Sequence, residues 1–506
     1  MSDAQVLIVG AGPTGLVLAL WLTHQGVSVR IIDKVAEPGT TSRALAVHAR
    51  TLELYRQMHL DQAVVEKGYT VPGARMWLGG KEEARVPFSE LVSGLTPYGF
   101  LHIFPQDEHE RLLIARLEEL GIRVERQVQL VRFEETGEKI AAQLRGANGV
   151  ELQISADFIA GCDGASSKVR EIMGTGFPGG TYSQIFYVAD VQGSGPAFNG
   201  DLNVELDQSD FLAIFPLAHK ERIRLIGAIR PDEGKDLGKL TFDDIKDRAA
   251  QSLRLKVDKV NWFSTYLVHH RVTDHFRTGR AFLLGDAAHI HTPVGGQGMN
   301  TGIGDAINLA WKLKAVLTGR ASADLPNTYE SERRAFALRL VKTTDFAFNF
   351  VARDGWIAEI VRTRVAPVVL PQMVSFDAVR EYIFRTISQI TLKYRDKGLD
   401  EGHAGSVHGG ERLPWVKFDN TDNYVALEQM AWNIHVYGQA EPHLRDWCRA
   451  HNILLHVYAW RDAFGEAGLA KDAVYLIRPD SYVGLAQTEQ DTAKLSAYFD
   501  RCHLKL

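Results

Sequence analysis

Short apolar runs, helical spacings and alternating stretches divide the chain into zones of different texture. Gln5 to Val9 is apolar and runs into glycines; Leu16, Leu18, Ala19, Leu20 and Leu22, within Pro13 to Gly26, read as a buried helix, and Val27 to Ile32 is a second apolar run. Strand, tight turn, helix and strand within about thirty residues is the pattern of a βαβ unit on a parallel sheet. Ala49 to Met58 and Asp107 to Leu120 carry helical spacing, and Gly121 suits the left-handed residue that follows a helix.

From about Phe177 to Leu267 the texture is strand-like. Ile185 to Val191, Leu202 to Leu206, Phe211 to Leu217 and Ile223 to Ile229 predict a mostly antiparallel sheet. Ala281 to Leu284 returns to a short buried strand, followed by a Gly-rich loop and a helix from Ile303 to Leu317. A first unit is therefore expected over 1–72, 102–176 and 268–325, with 73–101 and 177–267 inserted into it as a sheet domain. Helices dominate 326–397, where Phe346, Phe348 and Phe350 serve core packing or a pocket wall. The glycine-rich Gly398 to Pro414 reads as a linker, and 398–506 as a separate α/β domain.

Composition narrows the function. At 506 residues, 45% hydrophobic and 24% charged, the chain buries a substantial core in several domains. A net charge of −5 with no block of like charges gives no footprint for nucleic acid or anionic lipid, so a small-molecule partner is expected. No apolar stretch approaches the roughly 18 residues that cross a bilayer. Met1 to Gly10 carries no export signal, and Cys162, Cys448 and Cys502 form no CxxC, so the expectation is a cytoplasmic protein without disulfides or a metal site.

Gly10-Ala-Gly12-Pro13-Thr14-Gly15 is a GxGxxG that follows a strand and opens a helix. In that setting the first glycine makes the turn, the second admits a pyrophosphate, and the third lets helix and strand pack. The helix N-terminus faces the phosphates with unpaired N–H groups. Asp33, about 20 residues on, stands where a carboxylate accepts from a ribose. NAD and FAD both use this fingerprint. Gly285-Asp286-Ala-Ala-His289 favours FAD: an aspartate at a strand-to-loop corner can bind a ribityl hydroxyl, and Gly295 to Asn300 can bring N–H groups, including those of Gly298, Met299 and Asn300, to a flavin ring. A third motif, Gly161-Cys-Asp163-Gly164-Ala-Ser-Ser167-Lys-Val-Arg170, also follows a strand. His289 and His291 read as packing and hydrogen-bonding residues rather than proton shuttles.

With these three ordered motifs, residues 1 to about 397 resemble the single-component FAD-dependent aromatic hydroxylases, the family of p-hydroxybenzoate hydroxylase, phenol hydroxylase and the polyketide hydroxylases. The resemblance implies an α/β fold: a Rossmann-type FAD-binding domain, an inserted antiparallel substrate domain, and a thioredoxin-like C-terminal domain, here without CxxC. That last domain is expected to serve packing or homodimer contacts and to be dispensable for the cofactor site. Implied cofactor contacts are Gly10, Gly12, Pro13, Thr14, Gly15, Asp33, Lys34, Arg43, Gln106, Leu130, Asp163, Gly164, Asp286, Gly298, Met299 and Asn300. Arg43 and Arg170 are the candidates for assisting flavin reduction, and Tyr187, Phe211, Phe215, Ile226, Pro293 and Val294 for the substrate pocket.

The implied activity is hydroxylation of a small aromatic, phenolic or polyketide-like substrate with NADPH or NADH and O₂, through a flavin C4a-hydroperoxide. Two other readings share the motifs. One is a two-component enzyme fed with reduced flavin, which would not need the Asp163 to Arg170 element. The other is a non-catalytic FAD-binding protein that holds or protects a reactive intermediate.

Overall fold

The structure is a computed structural model that describes residues 4–39, 44–88, 94–206, 211–218, 221–229, 240–246, 253–292, 294–352 and 377–506, with the backbone alone at Phe211, Val294 and 344–352 among others. Arg43 and Pro293, and the side chains of Phe211, Val294, Phe346, Phe348 and Phe350, lie outside what is described. Three large sheets organise the chain.

The first sheet runs Arg277–Thr278, Ala281–Leu283, Glu151–Gly161, Ala4–Val9, Val29–Asp33, Glu125–Arg126. Ala4–Val9 pairs in parallel with both Glu151–Gly161 and Val29–Asp33, as its unbroken apolar run requires of a strand covered on both faces. The Pro13–His24 helix is buried from Gly15 to Leu22 because it packs between this sheet and the Gln297–Leu317 helix. Each of its fully buried leucines, Leu16, Leu18, Leu20 and Leu22, contributes about 1.5–3 kcal/mol on leaving water. The last helix starts at Gln297 rather than at the expected Ile303. Gly298 and Gly302 weaken helical propensity in its first turns, yet Gly302 is needed there: a Cβ would stand 2.3 Å from Thr14 Oγ1.

The second sheet has the order His289–Ile290, Lys256–Val272, Gly179–Ser194, Arg222–Ile229, Phe211–Pro216, Leu202–Leu206, Gly73–Leu78, Lys81–Pro87. It is antiparallel except between Leu202–Leu206 and Gly73–Leu78. Arg271 and Val272, at the end of its longest strand, pair with Ile290 and His289, so this sheet is hydrogen-bonded directly to the segment that follows Gly285-Asp286. That junction is where the cavity lies.

The third sheet, Val407–His408, Glu401–Ala404, Val483–Gln487, Val474–Ile477, Asn433–Tyr437, Leu454–Tyr458, belongs to the C-terminal unit. The stretch from Gly398 to Pro414 is not a linker: Glu401 and Gly402 pair in parallel with Leu485 and Ala486. Its glycines serve the fold, since Gly402 has φ +66° and a Cβ there would meet the Ala486 carbonyl oxygen at 2.3 Å. Among the described residues no helix is long and apolar enough to cross a membrane.

Charges out of water join the C-terminal unit to the rest. Arg478 donates to Glu332 at 2.6 and 3.0 Å and to Asp480 at 3.0 and 2.6 Å. Glu332 also receives Lys312 Nζ at 2.8 Å, and Trp311 Nε1 donates to Asp480 at 3.0 Å. Arg412 holds Glu53 through two bonds, and Arg50 reaches the Asp480 carbonyl and Ser481 Oγ. Burial alone would raise the Glu332 carboxyl, but Arg478 and Lys312 hold it down to about 2. Removing the unit would leave Glu53 and Glu332 short of their cations.

Glu332→Gln strands Lys312 without its buried countercharge, leaves Arg478 with Asp480 alone, and is expected to lose about 3–5 kcal/mol at neutral pH. The wild-type contribution is complete above the ordinary carboxyl value of 4.5 and is lost as pH falls toward 2. Urea unfolding at pH 7 and pH 3 should therefore show a gap between wild type and variant that narrows in acid; a gap that widens would contradict the assignment.

Candidate active site

The turn between the first strand and helix is built by its glycines. Gly10 has φ +105°, and a Cβ there would lie 2.2 Å from the Cys162 carbonyl oxygen; a Cβ on Gly15 would lie 2.0 Å from the Gly10 carbonyl oxygen. Both are closed to side chains because two parallel strands and a helix converge there. Gly12 differs: its φ is −76°, and a Cβ would meet nothing within 4 Å. It faces a cavity, lined in this region by Gly12, Pro13 and Thr14, into which the uncapped N-terminus of the helix opens. Pro13 at the first helical position gives up an N–H that would lack a partner in any case.

The cavity measures about 960 Å³, at the upper end of small-molecule sites, enough for a cofactor together with a substrate. Gln106, Gly164, Asp286, Gly298 and Met299 line it along with the Gly12 turn. Asp33 lies just beyond, with Oδ2 accepting the Ala11 N–H at 2.7 Å and Oδ1 the Val35 N–H at 3.0 Å, which braces the turn and leaves lone pairs over. Lys34 is exposed, and Leu130 is buried in the sheet, away from the lining.

The side chains of three expected residues hold neighbouring turns. Asp163 accepts from Ser167 Oγ and from the N–H groups of Lys168 and Val169, capping the short helix that follows. Arg170 donates to the carbonyls of Ala287 and Ala165 and lies 3.9 Å over the Phe177 ring. It brackets the Asp163 turn to the Asp286 turn. Asn300 donates to the carbonyls of Ala46 and Gly296 and accepts from the His48 N–H and Thr51 Oγ1, which exhausts its amide.

Beyond the glycines the cavity passes beneath the second sheet, where Phe186, Phe215, Ile226, Trp262 and Tyr266 form an aromatic wall. Tyr187 is corrected: it points to the opposite face, over Gly227 and beside Phe263 in a core with Trp77 and Leu212. Successive strand residues face opposite ways, so Phe186 takes the place expected of Tyr187. The backbone of Val294 lies in the Val294–Gly296 turn beside the cavity.

Three histidines complete the lining, His48, His269 and His291, of which His48 and His291 are perturbed by burial. Burial pushes the imidazoles of His48 and His291 down to about 4, so these two are neutral near pH 7. His291 Nδ1 bonds the Thr292 carbonyl at 2.8 Å and therefore carries the proton, leaving Nε2 as a buried acceptor with no partner among the described residues. His289 instead bonds Asp305 at 2.7 Å, the hydrogen-bonding role read from the sequence. His48 escaped the sequence reading because nothing in Ala46-Val47-His48-Ala49 marks a site; only the fold carries it to the Gly295 turn.

Comparison with known proteins agrees with this geometry. Residues 3–344 match the FAD binding domain family. The chain is 34% identical to a 6-methylpretetramide 4-monooxygenase of Streptomyces rimosus, across 99% of this chain and 94% of the relative. It is 32% identical to a rifampicin monooxygenase of Rhodococcus hoagii, across 99% of both. An anhydrotetracycline hydroxylase structure from Streptomyces rimosus superimposes with a TM-score of 0.78 at 26% identity, covering 99% of each chain. Aklavinone-11 hydroxylase, in a ternary complex with FAD and aklavinone, shares the fold at a TM-score of 0.83 and 23% identity, over 99% of this chain and 100% of that one.

Gly12→Val should fold normally, since its backbone is in a region open to every residue and the space is free, yet lose bound FAD. Gly15→Ala should lose stability instead, because its Cβ meets backbone. Flavin absorbance after gel filtration, read beside the melting temperature, separates the two; a yellow, stable Gly12→Val would remove the pyrophosphate from this turn.

Proposed function

Because the chain belongs to the family of FAD-dependent aromatic and polyketide monooxygenases, we propose that it hydroxylates a flat phenolic, polyketide-like substrate, using NADPH or NADH and O₂. The observation that carries this reading is the continuity of one cavity from the Gly12 turn to the aromatic wall at Phe186, Phe215 and Trp262. A dinucleotide turn opening into an apolar chamber suits a cofactor whose ring must meet an aromatic substrate away from water.

The residues suit FAD. Gly12, Pro13 and Thr14 would take the pyrophosphate on the helix N-terminus, with Arg43 as a further donor; Asp33 would take the adenosine ribose, Asp286 the ribityl chain, and the Gly295 to Met299 backbone the ring. The bound flavin supplies hydride acceptance and oxygen activation. The chain supplies the setting. Phe186, Phe215, Ile226, Trp262 and Tyr266 exclude water and stack a flat substrate. With a single GxGxxG in the sequence, the nicotinamide cofactor has no domain of its own and visits from solvent.

The C-terminal unit is read as thioredoxin-like: strand, helix and parallel strand (Asn433–Tyr437, Pro442–Ala450, Leu454–Tyr458), then an antiparallel pair and a final helix. It has no redox dithiol. Burial pushes the Cys448 thiol up to about 11 and raises that of Cys502, so both are packing residues, in keeping with a reducing cytoplasm.

The test is a screen of phenols, hydroxyquinolones and hydroxyanthraquinones for ligand-stimulated oxidation of NADPH and NADH, with product mass. At least one phenolic ligand should accelerate nicotinamide oxidation and gain one oxygen atom. Acceleration with peroxide as the sole product in every case would favour a protein that binds these ligands without hydroxylating them.

A further inference from the structure

Part of the cavity wall comes from outside the region that matches the FAD binding domain family. That match ends at residue 344, yet Phe384, Ile387 and Ser388 line the same cavity as the Gly12 turn and the aromatic strands of the second sheet. Phe384 and Ile387 stand three apart on the Asp377–Ile387 helix and so share one of its faces. Phe384 is partly buried against the main core.

The end of this helix is pinned from three sides. Gln297 Nε2 donates to the Ile387 carbonyl at 2.9 Å, and the Arg50 N–H donates to the Ser388 carbonyl at 3.2 Å. Gln389 Nε2 donates to Gln297 Oε1 at 2.6 Å and to Thr301 Oγ1 at 3.1 Å. Both glutamines are buried. Gln297 also opens the helix that follows the Gly295 turn, so one amide bridge joins that turn to the end of the wall helix.

The backbone of Gln389 shows that the bridge is specific. Its φ is +62°, a left-handed value that the residue following a helix commonly adopts as glycine and that a residue with a Cβ adopts only against a steric penalty. Glycine would make this turn more easily. Glutamine at the position is explained by the two bonds its side-chain amide makes.

We propose that the Asp377–Ile387 helix is the size-limiting wall of the substrate chamber, with Phe384 and Ile387 as specificity-determining residues and Gln389 as the positioning residue that holds them in place through Gln297. The assignment rests on the chamber reading given above. A cavity of about 960 Å³ shared between FAD and substrate leaves little slack, so side chains on one wall decide how many fused rings fit beside the cofactor.

The test is calorimetric titration of the FAD-loaded protein with 1-naphthol, which has two fused rings, and with 6-hydroxy-5,12-naphthacenequinone, which has four. Wild type is compared with Phe384→Ala, Ile387→Ala and Gln389→Gly, and flavin absorbance is recorded for each. Phe384→Ala should shift the ratio of the two dissociation constants about tenfold in favour of the four-ring probe. Ile387→Ala, at a position exposed enough to spare the core, should shift it the same way by a smaller factor and carries the comparison if Phe384→Ala does not fold. Gln389→Gly, for which a left-handed backbone is no obstacle, should also shift the ratio toward the four-ring probe. A ratio that stays put or moves toward 1-naphthol in the two wall variants would overturn the wall. Loss of FAD from Gln389→Gly with the ratio unchanged would assign the bridge to the cofactor turn alone and overturn its positioning role. A wild-type protein that holds FAD but binds neither probe would instead overturn the chamber reading beneath the proposal, and the proposal with it.

Discussion

The site depends on one carboxylate that has no contact with water. Asp305 accepts the Gly285 N–H at 3.0 Å, His289 Nε2 at 2.7 Å and Arg333 Nε at 2.6 Å, so a single group fixes the strand-to-loop corner, the strand that joins the second sheet, and the helix behind both. Burial by itself would protonate it, but Arg333 and His289 hold its carboxyl below the ordinary range. Arg333 continues the chain of bonds to Tyr394 and to the Thr301 carbonyl. On the same two helices Lys312 and Glu332 meet Arg478 of the C-terminal unit. Ionised groups at such depth persist only when each is paired, which makes the sheets, the helices and the C-terminal unit conditional on one another.

That constraint explains how an apolar cavity of this size survives between two sheets. The walls that face a ligand carry few polar groups able to stiffen them, so rigidity comes from behind: from Asp305, from the Asn300 clamp and from the Arg170 bracket. Apolar residues dominate the lining, with the buried His48 and His291 neutral and Asp286 among its polar residues. A flat ligand is oriented by a small number of hydrogen bonds and held by aromatic area, the division expected of a site that must admit substrate and exclude water.

Much of this was legible in the sequence. The GxGxxG turn, the βαβ unit and the Gly285-Asp286 corner follow from residue type and spacing, because glycine is demanded wherever backbones approach closely. What escaped depended on contacts distant in sequence. The facing of Tyr187 turns on strand parity, which a shift of one residue reverses. Asp163, Arg170 and Asn300 sit within recognisable motifs yet spend their bonds on neighbouring turns, a fact visible only once the partners are in place. The Gly398 to Pro414 stretch reads as a linker by composition, but its glycines permit parallel pairing with Val483–Gln487. His48 carries no local signal, since its place is set by the Gly295–Gly296 turn far along the chain.

The central claim is that one cavity serves cofactor and aromatic substrate together. A structure of the FAD-loaded protein soaked with a hydroxyanthraquinone tests it most directly. The account predicts pyrophosphate density on the Gly12 turn, the ring beside Gly295 to Met299, and the soaked ligand beneath Phe186, Phe215 and Trp262. Flavin or ligand density outside this cavity, with the chamber under the second sheet left to solvent, would contradict it.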